Sequence, residues 1–234
     1  MKKDLLVTLA DGNYVDQAKQ LFSSVYWNAG WKGDYMLLVY DIPENKLKWF
    51  RDKGILARKC EIILKVSHVI SEYYLNILFS KFYFFTPEFK RWKNIIFLDG
   101  DIIVRGSLDA LTEVKGFAAE AVCNASGIYL KKNFRKSDST NNELFEELKN
   151  RYALNRPAFN AGVLAFNSDI ITKDDLRKIK DTFLHFKDVI KFQAEEKVLN
   201  LYFYDKWQEL PAVYNVCPGY EVQYRSWEPT PLAA

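Results

Sequence analysis

The sequence predicts an α/β fold, with a mostly parallel central sheet flanked by helices. Three observations carry that prediction. Apolar runs of five or six residues recur through the first half of the chain, and segments with apolar residues at helical spacing separate them. The connections are long enough for crossovers between parallel strands. Of the 234 residues, 49% are apolar and 16% aromatic, ample for a sizeable core and incompatible with a disordered or fibrous chain.

The elements follow in order. Leu5–Leu9 is the first strand, and Val15, Ala18, Leu21, Phe22 and Val25 mark the helix after it. Tyr35–Tyr40, Glu61–Val66 and Asn94–Leu98 continue the series, each suited to a strand buried on both faces. Tyr73–Phe85 is the most apolar long segment. It contains Asn76, Ser80 and Lys81 and falls short of the roughly 20 residues of a membrane span, so it reads as a buried helix. Ser71 can cap that helix, and Pro87 lies just beyond its end. Phe117–Val122 and Gly162–Phe166 are further strands. Between them, Asn124–Pro157 is polar and irregular, with a helical pattern in Asn142–Tyr152. It is either a solvated excursion or a flap over a substrate. Asp174–Phe192 is an amphipathic helix with Leu176, Ile179, Phe183, Phe186 and Ile190 on one stripe. Without repeats, low-complexity tracts or a Pro/Gly-rich linker, residues 1–234 read as a single domain.

Charge and cysteine usage narrow the function. Lys plus Arg is 33 against 30 Asp plus Glu, a net charge of +3, too mild for a dedicated nucleic-acid binder. The basic cluster Lys131, Lys132, Arg135 and Lys136 has only Phe134 interleaved, and suits a solvated loop or a contact with an anionic acceptor. Cys60, Cys123 and Cys217 lack the pair spacing of zinc or redox motifs and read as free thiols in a reducing compartment. Leu5–Ala10 is too short for a signal-peptide core, and no small-residue cleavage site follows. A cytoplasmic protein without a transmembrane segment is expected.

The sharpest feature is Asn94-Ile-Ile-Phe-Leu-Asp99-Gly100-Asp101-Ile-Ile-Val104. An apolar strand ends in two carboxylates separated by one glycine. In an extended chain alternate side chains share a face, so Asp99 and Asp101 can point the same way. Gly100 lets the backbone turn and a ligand approach closely. Two like charges this near call for a divalent cation, and oxygen-only ligation suits Mn²⁺ or Mg²⁺, which also bridge phosphate oxygens. The alternative is that Asp-Gly begins a hairpin turn with Asp101 exposed.

With these residues in view, the chain resembles glycosyltransferase family 8, the group of glycogenin and the lipopolysaccharide galactosyltransferases. The resemblance begins at Leu9-Ala-Asp-Gly-Asn-Tyr14 and continues through Phe97–Asp101 and Phe159-Asn-Ala-Gly-Val-Leu164. It ends with Val198-Leu-Asn200 and Leu210-Pro-Ala-Val-Tyr-Asn215. It implies a GT-A fold, the Rossmann-like fold of nucleotide-diphosphosugar transferases. It also implies a UDP-sugar donor, a saccharide or glycan acceptor and retention of anomeric configuration.

Carried over residue by residue, the resemblance assigns Ala10, Asp11, Asn13 and Tyr14 to the uridine end. Asp11 can accept a proton from the uracil imide, and Tyr14 can stack on its ring. Asp11 or Asn13 capping a helix, and Tyr14 packing at its start, are compatible alternatives. Asp99 and Asp101 would hold the metal on the diphosphate, with Gly100 beside them. The metal would neutralise charge on the departing UDP. Lys81 would reach the donor; alternatively it snorkels from a hydrophobic helix. Asn160, ahead of a strand, would meet the sugar through an amide that both donates and accepts hydrogen bonds.

Two departures from the family pattern stand out. Glu195-Glu196 replaces an Asp-Gln pair. Glu195 can bind a hydroxyl as the Asp would. Glu196 stands for a Gln near the anomeric carbon, where a carboxylate can stabilise an oxocarbenium-like transition state or attack covalently; a solvated helix-end charge is the alternative. The family's His-x-x-Gly-x-x-Lys-Pro-Trp segment, which supplies a third metal ligand and a phosphate-binding lysine, has no counterpart in the 19 residues after Asn215. His68 and His185 do not match it. The expectation is therefore a domain lacking that segment, or a site completed differently. The basic aromatic tail through which some relatives contact membranes is missing too, so peripheral membrane contact belongs to a longer chain.

The leading reading is a retaining, metal-dependent hexosyltransferase in carbohydrate or lipopolysaccharide biosynthesis, with Asn160, Glu195, Glu196 and Lys81 as its catalytic residues. The alternative is a nucleotide-sugar-binding domain inactive or weak on its own. A remoter one is an Asp-x-Asp phosphohydrolase, in which the first Asp is a nucleophile. The sugar, the acceptor and the oligomeric state are not encoded in these motifs.

Overall fold

The computed structural model describes residues 2–64, 72–121, 129–134, 142–190 and 194–216. Among them, the strands β1 (Leu5–Ala10), β2 (Asp34–Val39), β3 (Leu56–Lys59), β4 (Asn94–Leu98), β5 (Phe117–Ala121), β6 (Phe159–Asn167) and β7 (Trp207–Leu210) form one sheet. Its order is β3-β2-β1-β4-β6-β5-β7. The helices are α1 (Val15–Asn28), α2 (Glu44–Asp52), α3 (Glu72–Phe79), α4 (Asn142–Arg151), α5 (Asp175–Phe186) and α6 (Ala194–Tyr202). The pairings β1–β2, β2–β3, β1–β4 and β5–β7 are parallel, as expected. β6 is the exception, running antiparallel to both β4 and β5.

Alternation along the strands divides the core into two layers. Leu5, Val7 and Leu9 of β1 and Ile95 and Phe97 of β4 pack with Phe79, Phe82, Phe84 and Phe85. Leu6, Ala10, Ile96 and Leu98 pack with Val15, Ala18, Leu21, Phe22 and Val25 of α1. Burial on both faces explains the uninterrupted apolar runs. Each fully buried Phe contributes about 2–3 kcal/mol. Rings of Phe117 and Phe203 stack at 3.9 Å, and those of Phe85 and Phe166 at 5.4 Å. These contacts clamp the end of α6 and the segment after α3 to the sheet.

Several boundaries differ from the expectations, each for a physical reason. The third strand is Leu56–Lys59 rather than Glu61–Val66. It is an edge strand, half exposed and paired only with β2, so it carries no apolar signature. Gly54, at φ +73°, turns the chain from α2 towards it. Residues 61–64 lie outside any strand; Leu64 is buried as part of a loop, and residues 65 and 66 fall outside the described residues. The helix expected over Tyr73–Phe85 is α3 followed by a tighter 3₁₀ segment, Ser80–Phe85.

β6 starts three residues before Gly162, so Asn160 lies within the strand instead of ahead of it. β5 ends at Ala121. The helix expected over Asp174–Phe192 ends at Phe186, and Ile190 is buried by a strand-like bridge to Phe134. The Asn124–Pro157 excursion is not wholly solvated, because Leu130, Phe134, Leu148 and Tyr152 join the core. Ser71, His68, Arg135, Lys136, Cys123 and Cys217 lie outside the described residues. Cys60 is free, and burial pushes its thiol up to about 11, as for a small hydrophobe. No helix among the described residues is long and apolar enough to cross a membrane.

Candidate active site

The site lies where the sheet reverses its order. From β1 the chain builds outward to β2 and β3, then returns to place β4 on the other side of β1. The carboxyl ends of β1 and β4 flank the crevice that such a switch point creates. Because β6 is antiparallel to β4, its first residues reach the same rim.

Asp99 follows β4 directly. Its N–H donates to Gly162 O at 2.8 Å, and its carbonyl accepts from Ile102 N at 3.1 Å, closing a turn over Asp99–Ile102. The turn exists but makes no hairpin, since the antiparallel neighbour of β4 is β6. Asp101 is exposed on that turn, and its charge acts on Asp99. Gly100 is not in the left-handed region, and a Cβ there would meet Leu9 O at 3.5 Å and Thr8 Oγ1 at 3.8 Å, ordinary contacts. The backbone turn therefore does not demand a glycine, contrary to expectation; its bare Cα leaves room above the rim.

The 3₁₀ segment after α3 carries Lys81 inward, not out to solvent. Lys81 is 3% exposed. Its Nζ stands 3.1 Å from Asp99 Oδ1 and 3.5 Å from Glu195 Oε1, donates to Ala161 O at 3.2 Å, and lies 4.9 Å from the centre of the Phe97 ring. Burial opposes its charge, but the Asp99 and Glu195 carboxylates outweigh burial and hold it above the ordinary lysine range. It remains an ammonium. Burial also pushes Asp99 and Glu195 above the ordinary carboxylate range, against the pull of Lys81.

Glu195 and Glu196 occupy the first turn of α6, where the helix dipole favours carboxylates. Both are buried, so neither is a solvated helix-end charge. Glu195 Oε2 has no hydrogen-bond partner among the described residues. Glu196 is fully engaged. Its Oε1 pairs with the Lys197 ammonium, and its Oε2 accepts from Ala161 N at 3.1 Å and Asn160 Nδ2 at 3.3 Å. Asn160 Oδ1 in turn accepts from Gly162 N at 2.7 Å and Asn215 Nδ2 at 2.9 Å. That fills both lone pairs, so the amide presents only an N–H to a ligand, not the donor and acceptor expected.

A second group forms at the end of β1. Ala10 is buried, and its carbonyl accepts from Tyr40 N at 3.0 Å. Asp11 is buried and organises the start of α1. Its Oδ1 accepts from Asn13 N at 2.9 Å and Tyr14 N at 3.1 Å, and its Oδ2 from Asn13 Nδ2 at 3.2 Å. The N-cap position is Tyr14, without a side-chain cap hydrogen bond, so neither Asp11 nor Asn13 caps α1; Asp11 closes the turn that leads into it. Tyr14 is 49% exposed, a free ring face at the helix start.

Lys81, Asp99, Asn160, Glu195 and Glu196 therefore belong to one connected network, with Gly100 and Asp101 adjoining it. His185 lies apart, 2.9 Å from Glu147 of α4. Sequence reasoning missed Lys197 and Asn215. A Cβ on Gly162 would stand 2.8 Å from Asn160 Oδ1 and 3.3 Å from Asp99 Oδ2. Asn215 closes the Leu210–Asn215 block and Lys197 follows the Glu pair, which are the only signals either gave. Among the described residues no three His, Cys, Asp or Glu groups form a metal cage.

Comparison with known proteins agrees with this architecture. The model of Glycosyl transferase family 8 matches residues 5–231. The chain is 27% identical over 231 residues to glycosyltransferase GlyB of Streptococcus pneumoniae, across 94% of this chain and 49% of GlyB. It is 26% identical over 202 residues to galactinol synthase 5 of Arabidopsis thaliana, across 79% of this chain and 56% of the synthase. The chain thus spans about half the length of the curated relatives it matches. Among solved structures, the galactosyltransferase LgtC with donor and acceptor sugar analogues aligns at a TM-score of 0.67 and 19% identity, over 95% of this chain and 78% of LgtC. The likeness is one of fold, and that fold is GT-A. The chain belongs to glycosyl transferase family 8.

Proposed function

We propose that this chain transfers a hexose, with retention of anomeric configuration, from a UDP-sugar to a saccharide or glycan acceptor. Mn²⁺ or Mg²⁺ would be held by Asp99 and Asp101 on the donor diphosphate. The observation that carries this reading is the Lys81–Asp99–Glu195 ion cluster at the switch-point rim, joined through Ala161 to Glu196 and Asn160. Membership of a glycosyltransferase family supports the reaction class.

The donor set fits a hard dication. Asp99 and Asp101 are oxygen ligands, and Mg²⁺ is commonly bound through one or two carboxylates plus substrate phosphates rather than by a complete protein cage. The charge balance points the same way. Asp99, Asp101, Glu195 and Glu196 outnumber Lys81 and Lys197, and that excess would repel a bare diphosphate. When bound, the cation supplies Lewis-acid stabilisation of the departing diphosphate.

The protein's own groups do the rest. Lys81 keeps a positive charge beside Asp99 for the phosphate or a sugar hydroxyl. Asn160 offers one N–H, and Glu195 Oε2 offers an acceptor. Glu196, with both oxygens engaged, stabilises positive charge at the anomeric carbon through space instead of attacking it. Asp11, Asn13 and Tyr14 receive the uridine end. The phosphohydrolase alternative gains nothing from the family found. A second reading is a domain that binds the nucleotide sugar without turning it over alone, since the chain spans about half the length of relatives such as GlyB.

One experiment tests the proposal. A panel of UDP-sugars with Mn²⁺ is monitored for UDP release and thermal shift together. Release that disappears in Asp99→Asn and Asp101→Asn is the expected result. Thermal shifts without release favour the second reading, and neither effect with any donor refutes both.

A further inference from the structure

We propose that Asn215 is a positioning residue that locks the Asn160 amide so that it offers a ligand one N–H and no acceptor. The inference rests on the reading that this site takes a nucleotide sugar, and it concerns the sugar end.

Asn215 sits just past the Ala212–Tyr214 turn, and its Nδ2 donates to Asn160 Oδ1 at 2.9 Å. Gly162 N donates to the same oxygen at 2.7 Å. With both lone pairs taken and one amide hydrogen donated to Glu196 Oε2, a single N–H remains on a half-buried side chain. The orientation of Asn215 is itself determined. A flip would set its oxygen against Asn160 Oδ1, which already accepts from Gly162 N. Glu120 of β5 lies beside Asn215, is 4% exposed, and its Oε2 has no partner among the described residues. A sugar hydroxyl meeting Asn160 must therefore accept there and pass its own proton to another group. Glu195 Oε2, buried and unpartnered, is such a group in the same network.

Asn215→Asp tests the lock, because it replaces the donating amide by an acceptor of the same size. The charged groups facing this position are Glu120 of β5 and Glu209 of β7. Glu196 and Lys197 of α6 lie beyond Asn160, and Asp99 beyond Gly162. These carboxylates raise the introduced acid's pKa, and once protonated it can donate to Asn160 Oδ1 as Asn215 does.

With Mn²⁺ and UDP-glucose or UDP-galactose, whichever the wild type hydrolyses, UDP release relative to wild type should fall about 100-fold at about pH 8.5. It should recover about tenfold by about pH 5.5. Calorimetry should show weaker binding of the UDP-sugar but UDP affinity within about twofold of wild type, because the lock touches only the sugar end. A ratio to wild type that stays constant across pH, or equal losses for UDP and UDP-sugar, would overturn the proposal. Should Asn215→Asp fail to fold, Asn215→Ser allows the same calorimetric comparison. Weaker UDP-sugar binding with UDP affinity kept then supports the lock, and equal losses overturn it. If the wild type itself binds neither UDP nor UDP-sugar, the underlying reading fails and the lock with it. That outcome is told apart because it appears before any substitution.

Discussion

Lys81 Nζ stands 3.1 Å from Asp99 Oδ1, on a lysine side chain 4% exposed and an aspartate 40% exposed. A buried cation thus anchors one of the two candidate metal ligands through one oxygen, while the other lies beside Gly162. Removing the ammonium leaves Asp99 and Glu195 to repel each other. Lys81→Met should lower kcat/KM about 100- to 1000-fold. It should cost about 2–3 kcal/mol of stability, less than for a fully buried pair because Asp99 meets solvent. UDP-release kinetics and urea denaturation measure both.

Gly162 separates packing from chemistry. Alanine in a strand normally gains slightly over glycine. Here its Cβ would stand 2.8 Å from Asn160 Oδ1, displacing the amide while leaving the β4–β6 pairing intact. Gly162→Ala should keep its melting temperature within a few degrees and lose about 100-fold in kcat/KM. A large drop in melting temperature instead would identify the glycine as purely structural.

Glu120 makes stability depend on pH. Burial first, then the charge of Glu209, pushes its carboxyl up to about 8, against a slight lowering by Asn215. Its folded pKa lies above the unfolded value near 4.5, so between these limits the folded state binds the extra proton. Stability is therefore greatest below the unfolded pKa and declines as pH rises towards about 8, by a few kcal/mol in total. Glu120→Gln removes the titrating group and should flatten that decline, read as melting temperature at pH 5 and at pH 8 in both proteins.

Glu196 and Lys197 should behave as a pair. Glu196→Gln keeps an oxygen for Ala161 N but leaves Lys197 buried without its anion. The single variant should lose about 3 kcal/mol of stability, and Glu196→Gln with Lys197→Met should recover most of it. A loss of about 100-fold in the double variant fits a glutamate that acts through space. A loss beyond about 10,000-fold would instead mark a covalent nucleophile.

Much of this was legible in the sequence because the information is local. The runs that became β1, β2 and β4 are apolar without interruption because both faces are buried, and Asp99 is conspicuous because it ends such a run. β3 was misplaced because an edge strand has no such signature, while Ile62–Leu64 gave an apolar run that packs as a loop. The position of Lys81 came only through family resemblance; its burial depends on the 3₁₀ turn after α3, which no periodicity announces. Asn215 and Glu120 gave no signal of their roles. Their partners lie 55 and 95 residues away along the chain, and only the closing of β5, β6 and the 212–215 segment around one rim brings them together.

The central claim is a dication shared between the Asp99–Asp101 pair and a diphosphate, and calorimetry of UDP binding with and without Mn²⁺ tests it most directly. Mn²⁺ should tighten UDP binding at least about tenfold in the wild type, and this coupling should vanish in Asp101→Asn, whose exposed side chain can be changed without disturbing the fold. UDP affinity that is the same in Mn²⁺ and in EDTA, or coupling that survives in Asp101→Asn, would contradict the account.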